Sequence, residues 1–235
     1  MLKLRGVVVF TCCVLAFSAR ATLIDVYQGN SPNLGTFKGT IEAYSGVDSA
    51  VANYDYFSHS GHPTEGPNLK FNRGEIFFYD GPEGTTFNVL FNKEKNNQAD
   101  PNTSGLVSWN IAALSFGDPS VLLSDDKKEL KEDGSDFFKG RWEWNNNTDG
   151  GIIQGLDLPF WAVIIDPKEY QGVDSLKVFS ADGGRINMNL RTGERGFMFF
   201  AVHVPDAGGT IYLLSAGVFG LALASSRMGI SGLTP

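Results

Sequence analysis

The chain has 235 residues, with 19 Lys and Arg against 26 Asp and Glu for a net charge of −7, and 42% of its residues are hydrophobic. That length suits one mid-sized domain with processing segments and leaves little room for a second full domain. The acidity repels phosphate backbones, so it excludes nucleic acid and makes anionic lipid a poor partner, while it favours solubility and divalent cations.

Lys3 and Arg5 form a short basic region. GVVVFTCCVLAF follows as an apolar core too short to span a bilayer comfortably, and Ala19-Arg20-Ala21 supplies a small-x-small site. This order predicts a secretory signal peptide over 1–21, cut by signal peptidase after Ala21, and hence an exported protein. The two cysteines, Cys12 and Cys13, both fall inside it. The mature body, read as 22–203, therefore has neither a disulfide framework nor a cysteine nucleophile. Leaving out Lys3, Arg5, Arg20, Arg227 and Asp206 gives that body 15 basic and 25 acidic residues, a net charge of −10.

Along the body, β-rich or alternating stretches recur: LIDVYQ, TFKGTIEAYSG, VANYDYF, GEIFFYD, TFNVLFN, GLVSWNIA, FFKGRWEWN, FWAVIID, SLKVFSA, RINMNL and GFMFFAVHV. Each is bounded by Gly, Pro, Asn or Asp, and the spacing predicts an all-β fold, an antiparallel β-sandwich of jelly-roll type. One charged segment breaks the pattern. SDDKKELKEDGSD, Ser124 to Asp136, reads as a short helix or a solvated excursion.

Within HSGHPTE, His59, His62 and Glu65 offer two imidazoles and a carboxylate to zinc, but they sit in a loop with no supporting shell, so solvated histidines are the better reading. His203 is the remaining histidine. Trp142 and Trp144 stand two apart on a strand, which points both rings to one face. If exposed, they make a stacking platform for sugar rings of an extracellular polysaccharide; if buried, they are ordinary sandwich core. NNNTDGGIIQGLD imitates a calcium loop, with oxygen side chains at Asn145, Asn147 and Asp149 and a turn at Gly150, but Leu156 stands where a bidentate Glu belongs. An Asn-Gly turn is the simpler reading, which leaves weak Ca2+ binding as the only cofactor expectation. Signatures of nucleophile elbows, zincin helices, phosphate loops and dinucleotide sites are absent. A glycosidase pair could hide among Glu42, Asp55, Glu75, Asp80 and Glu143, since two acids at the right separation leave no linear trace.

The chain closes with VPDAGGTIYLLSAGVFGLALASSRMGISGLTP, 204–235. From Ala207 to Ser226 no residue is charged; as a helix those residues reach about 30 Å, the thickness of the hydrocarbon core. Tyr212 suits an interfacial aromatic and Arg227 a positive stop on the cytoplasmic side. The reading is a single C-terminal transmembrane helix over 207–226. Pro205 breaks any helix ahead of it, and Asp206, Gly208 and Gly209 keep the preceding stretch polar and accessible.

With that span behind them, Val204, Pro205, Asp206, Ala207 and Gly208 resemble the C-terminal sorting signals of the PEP-CTERM class, in particular the VPDSG-CTERM variant. Ala207 stands where that variant more often has Ser or Thr, and the single Arg227 where the family has several basic residues. The resemblance implies an exported bacterial protein delivered to exosortase, a membrane-embedded cysteine protease-transpeptidase that cuts near the Pro-containing motif. Trp142, Trp144, Trp161, Ala162 and Val163 also look like the Trp-rich strand and following WA-V strand of exported PEP-CTERM-type proteins. The expectation is a non-enzymatic cell-surface or extracellular-matrix protein, with a carbohydrate-binding module or glycoside hydrolase as the alternative.

Overall fold

A computed structural model describes residues 21–29, 35–54, 73–91, 104–124, 126–145, 149–157, 159–173, 175–190 and 196–202. Residues 1–20, His59, His62, Glu65, Asn147, His203 and the whole of 204–235 lie outside the described residues.

Alternation decides which way each strand faces. In β1 (Leu23–Gln28), Ile24, Val26 and Gln28 are buried while Leu23 stands exposed. The same two-residue period buries Val107, Trp109, Ile111 and Ala113 in β6 (Ser104–Ser115), Trp142 and Trp144 in β9 (Phe137–Asn145), and Trp161, Val163 and Ile165 in β11 (Phe160–Gln171). In space, one sheet runs β2 (Thr36–Glu42), β1, β14 (Phe197–Val202), β11, β6, β9, β8 (Leu130–Glu132). The other runs β13 (Arg185–Met188), β12 (Ser175–Phe179), β4 (Arg73–Gly81), β5 (Gly84–Phe91), β10 (Asp149–Leu156), β7 (Ser120–Ser124). Pairing is antiparallel except where β12 and the two-residue β3 (Tyr44–Ser45) lie parallel along the same edge of β4. The result is an all-β structure of two packed sheets.

The inner faces of both sheets fill one aromatic core. Phe78 stacks on Trp161 at 5.1 Å and meets Phe199 at 5.2 Å, which joins β4 of one sheet to β11 and β14 of the other. Last in sequence, β14 is not an edge: it pairs with β1 on one side and β11 on the other.

The second sheet is buried on both faces. Phe77, Tyr79, Leu90 and Ile152 point away from the main core and pack with Ala50 and Tyr54 of α1 (Ala50–Tyr54). This corrects one expectation, because VANYDYF was read as a strand and its first four residues are helical. Ser49 explains the difference. Its hydroxyl accepts from the Ala52 amide at 3.2 Å and its carbonyl from Asn53 at 2.8 Å, while Glu83 Oε2 accepts from the Ala50 amide at 3.1 Å. A capping serine plus a carboxylate at the first turn satisfies amides that a strand would have placed in a ladder.

The charged segment 124–136 forms a turn and the short β8 rather than a helix. Lys128 at φ 82°, Gly134 at φ 110° and Asp136 at φ 65° turn the chain out of helical geometry. Among the described residues no helix is long and apolar enough to cross a membrane.

Candidate functional site

The tryptophans are the most concentrated chemistry the sequence singles out, and the structure encloses them. Trp142 is 0% and Trp144 1% exposed. Phe91 from the opposite sheet packs between them, 5.1 Å from Trp142 and stacked on Trp144 at 5.5 Å with the planes 2° apart. Trp109 completes the cluster, edge-on to Trp142 at 5.2 Å. Room for the rings comes from two glycines: a Cβ at Gly105 would collide with the Trp144 ring, and one at Gly140 with the Trp142 ring. The shared face expected for Trp142 and Trp144 is real, but it is the inner one. Neither ring has a surface on which a sugar could stack.

Hydrogen bonding separates these rings. The Trp109 indole N–H donates to the Tyr170 hydroxyl at 3.0 Å, whereas the indole N–H groups of Trp142, Trp144 and Trp161 are buried without an acceptor. Burial holds the Tyr170 phenol well above its ordinary ionisation range, against the opposing effect of the bond from Trp109.

The residues that suggested a calcium loop are divided between strands. Asn145 ends β9 in one sheet; Asp149 opens β10 in the other and is 1% exposed, and Leu156 is core. Asp149 instead hydrogen-bonds to the side chain of Glu129, in the turn before β8. Such a bond between two carboxyl groups needs a shared proton. The Glu129 pKa is raised, first by burial and then by the Asp126 charge, while backbone amides of Asp126 and Glu143 and the Asp149 bond pull the other way. Among the described residues no group of three or more His, Cys, Asp or Glu side chains is placed to hold a metal ion.

The remaining acids serve local ends. Asp80 accepts from the Thr22 amide at 2.9 Å and the Thr85 hydroxyl at 2.7 Å. Glu143 is exposed and pairs with Arg141 at 3.0 Å. Glu75 is buried on the outward face of β4, and Glu42 sits at the end of β2, where its amide donates to the Ser180 hydroxyl at 2.8 Å. Asp55 lies outside the described residues. An open depression of about 760 Å3 at the β6–β9–β11 end is lined by Ser104, Leu106, Glu143, Trp144 and Gln171, with Glu143 its one carboxylate among the described residues. A second, of about 450 Å3, runs from Asn110 to the turn before β9; its carboxylate, Asp133, pairs with Lys139 at 2.8 Å. Among the described residues, neither depression brings together the two carboxyl groups that glycoside hydrolysis uses.

Comparison with known proteins gives no lead: no family model, curated protein or solved structure matches the chain significantly.

Proposed function

We propose that this is a non-enzymatic exported protein of the cell surface or extracellular matrix, sorted through a PEP-CTERM-class, VPDSG-CTERM-like signal at its C-terminus. The observation that carries the reading is positional. Val204-Pro205-Asp206-Ala207-Gly208 and the uncharged run to Ser226 begin two residues after the strand that completes the core. A signal peptide over 1–21, a jelly-roll-like body over 22–203, a transmembrane helix over 207–226 and Arg227 on the cytoplasmic side make a type I precursor. Its processing partners are signal peptidase and an exosortase-like enzyme. Burial of Trp142 and Trp144 removes the main support for the carbohydrate-binding alternative.

The test is the intact mass of the protein recovered from its native cells, which reports both cleavages at once. The expected species begins at Thr22 and ends near Pro205 or Asp206. Replacing Pro205 and Asp206 with alanine should leave membrane insertion intact and trap the longer precursor in the membrane fraction. Equal release of that variant and the unaltered protein would refute motif-directed processing.

A further inference from the structure

The structure gathers several turns at the end of the sandwich where β14 finishes. Val202 pairs with Phe160, and the next residue of β11, Trp161, pairs with Ser115. Ser115 Oγ accepts from the amides of Gly117 and Asp157 at 3.1 and 2.8 Å. Asp157 in turn lies against Gly84 of the β4–β5 turn, and Asp80 of the same hairpin holds the amide of Thr22, just ahead of Leu23. The carbonyl of Asp80 also accepts from Gly46 at 3.3 Å, and the Tyr79 hydroxyl donates to the Asp48 carbonyl at 2.9 Å, which brackets Val47.

This end exposes apolar side chains. Leu23 is 59%, Phe116 72% and Val47 92% exposed, three of the five large hydrophobics that stand out among the described residues. Beside them Phe160 and Phe200, both half-buried, meet edge-on at 5.2 Å. Scattered exposed hydrophobics are ordinary, but a group at one end marks a contact surface. The charges there are mainly acidic, Arg185 after the β12–β13 turn, whose Ala181 amide donates to the Glu42 carbonyl, being the exception. The four turns carry Asp48, Glu83, Asp118 and Asp157, and the described residues of Gly46–Asp48, Gly81–Gly84, Phe116–Pro119 and Asp157–Phe160 include no Lys or Arg.

We infer that this end of the sandwich rests on the surface of a lipid bilayer whose headgroups are zwitterionic, with Phe116, Leu23 and Val47 in the interfacial layer. The inference depends on the anchor reading above. If a span begins at Ala207, the five residues from Val202 reach at most about 17 Å, so the end of β14 cannot stand farther than that from the membrane. Apolar and aromatic side chains at that height enter the headgroup region favourably, while the ring of carboxylates opposes an anionic surface. A body seated this way holds Val204 to Gly208 at the interface, within reach of an enzyme embedded in the membrane.

The test uses the mature chain, residues 22–235, which contains no cysteine of its own, reconstituted in phosphatidylcholine bilayers. Single nitroxide labels are placed at Phe116→Cys, at Glu143→Cys beside the far-end depression, and at Gly220→Cys in the tail. Electron paramagnetic resonance then compares relaxation by oxygen, which concentrates in lipid, with relaxation by a water-soluble nickel chelate. The oxygen-to-nickel ratio at 116 should be several-fold above that at 143, should fall when phosphatidylglycerol replaces part of the lipid, and should recover in high salt. A ratio at 116 equal to that at 143 overturns the inference, whatever position 220 reports. The label at 220 judges the anchor separately: lipid-like at 220 but aqueous at 116 leaves the anchor standing without the docked end, and lipid-like at 116 but aqueous at 220 supports the docked end without the anchor.

Discussion

Trp109 and Trp142 touch each other and both touch Phe91, yet one indole N–H has an acceptor and the other has none. Trp→Phe deletes the same atoms at either site, so the difference between the two variants compares a bonded indole N–H with an unbonded one. At Trp142 the substitution opens space but also removes a buried, unpaired donor. At Trp109 it opens comparable space and strips the Tyr170 hydroxyl of its partner. A group left unsatisfied by loss of its partner costs about 1–3 kcal/mol, so W109F should lie below W142F by an amount in that range. Tyr170→Phe leaves the Trp109 N–H, 1% exposed, without an acceptor and should cost about 1–3 kcal/mol. In a domain of this size each kcal/mol moves the midpoint by roughly 2–4 °C, well within reach of calorimetry on residues 22–203. The double variant W109F/Y170F should be less destabilised than the sum of its parts, as expected for two groups in direct contact. Strict additivity, together with equal midpoints for W109F and W142F, would show that the bond contributes nothing.

Glu129→Gln tests the burial-raised pKa of Glu129. The Glu129 pKa is raised in the fold, so its stabilising contribution is complete below the unfolded value near 4.5 and is lost as pH rises through the folded value. The midpoint of E129Q relative to the unaltered protein should therefore increase from pH 4 to pH 7; a gap that shrinks over that range would refute the assignment. Gly140→Ala drives a methyl group into the Trp142 ring and should cost about 1–3 kcal/mol in urea unfolding. The loss should be partly recovered in the G140A/W142F double variant, whose smaller ring makes room; no recovery would place the strain elsewhere.

The strands of the first sheet were legible because one face is core and the other is not. LIDVYQ, GLVSWNIA and FWAVIID alternate, and the two-residue period selects all their buried residues except the small Ala112 and Ala162, which are buried on the opposite face. The second sheet hides its pattern: from Thr85 to Phe91 every residue of β5 is buried, because main core lies on one face and a second layer including α1 on the other. A strand enclosed on both sides carries no alternation to read. The helix itself is five residues long, too short for a helical period to emerge, and depends on Glu83 from a distant turn. The common face of Trp142 and Trp144 follows from spacing alone. Which face it is depends on Phe91, which stands more than fifty residues away in sequence and reaches the rings only when the sheets pack.

The position of β14 bears on what processing does to the fold. It contributes Phe197, Phe199 and Ala201 to the core and completes hydrogen-bonded ladders with both β1 and β11. Removing the chain after His203 takes away none of the described core residues and none of these pairings, so residues 22–203 should fold alone, with a spectrum dominated by strand and a body charge of −10 that keeps it dispersed. Ending the chain at Gly196 instead deletes the whole strand. Each buried Phe lost to a smaller side chain costs about 3–5 kcal/mol, and two of them, with two ladders left open, match the roughly 5–15 kcal/mol that hold a domain together. The 22–196 chain should therefore lack cooperative unfolding in calorimetry while 22–203 retains it. If both chains melt cooperatively, β14 is dispensable; if neither does, residues beyond 203 belong to the core and a cut near Pro205 could not leave the body intact.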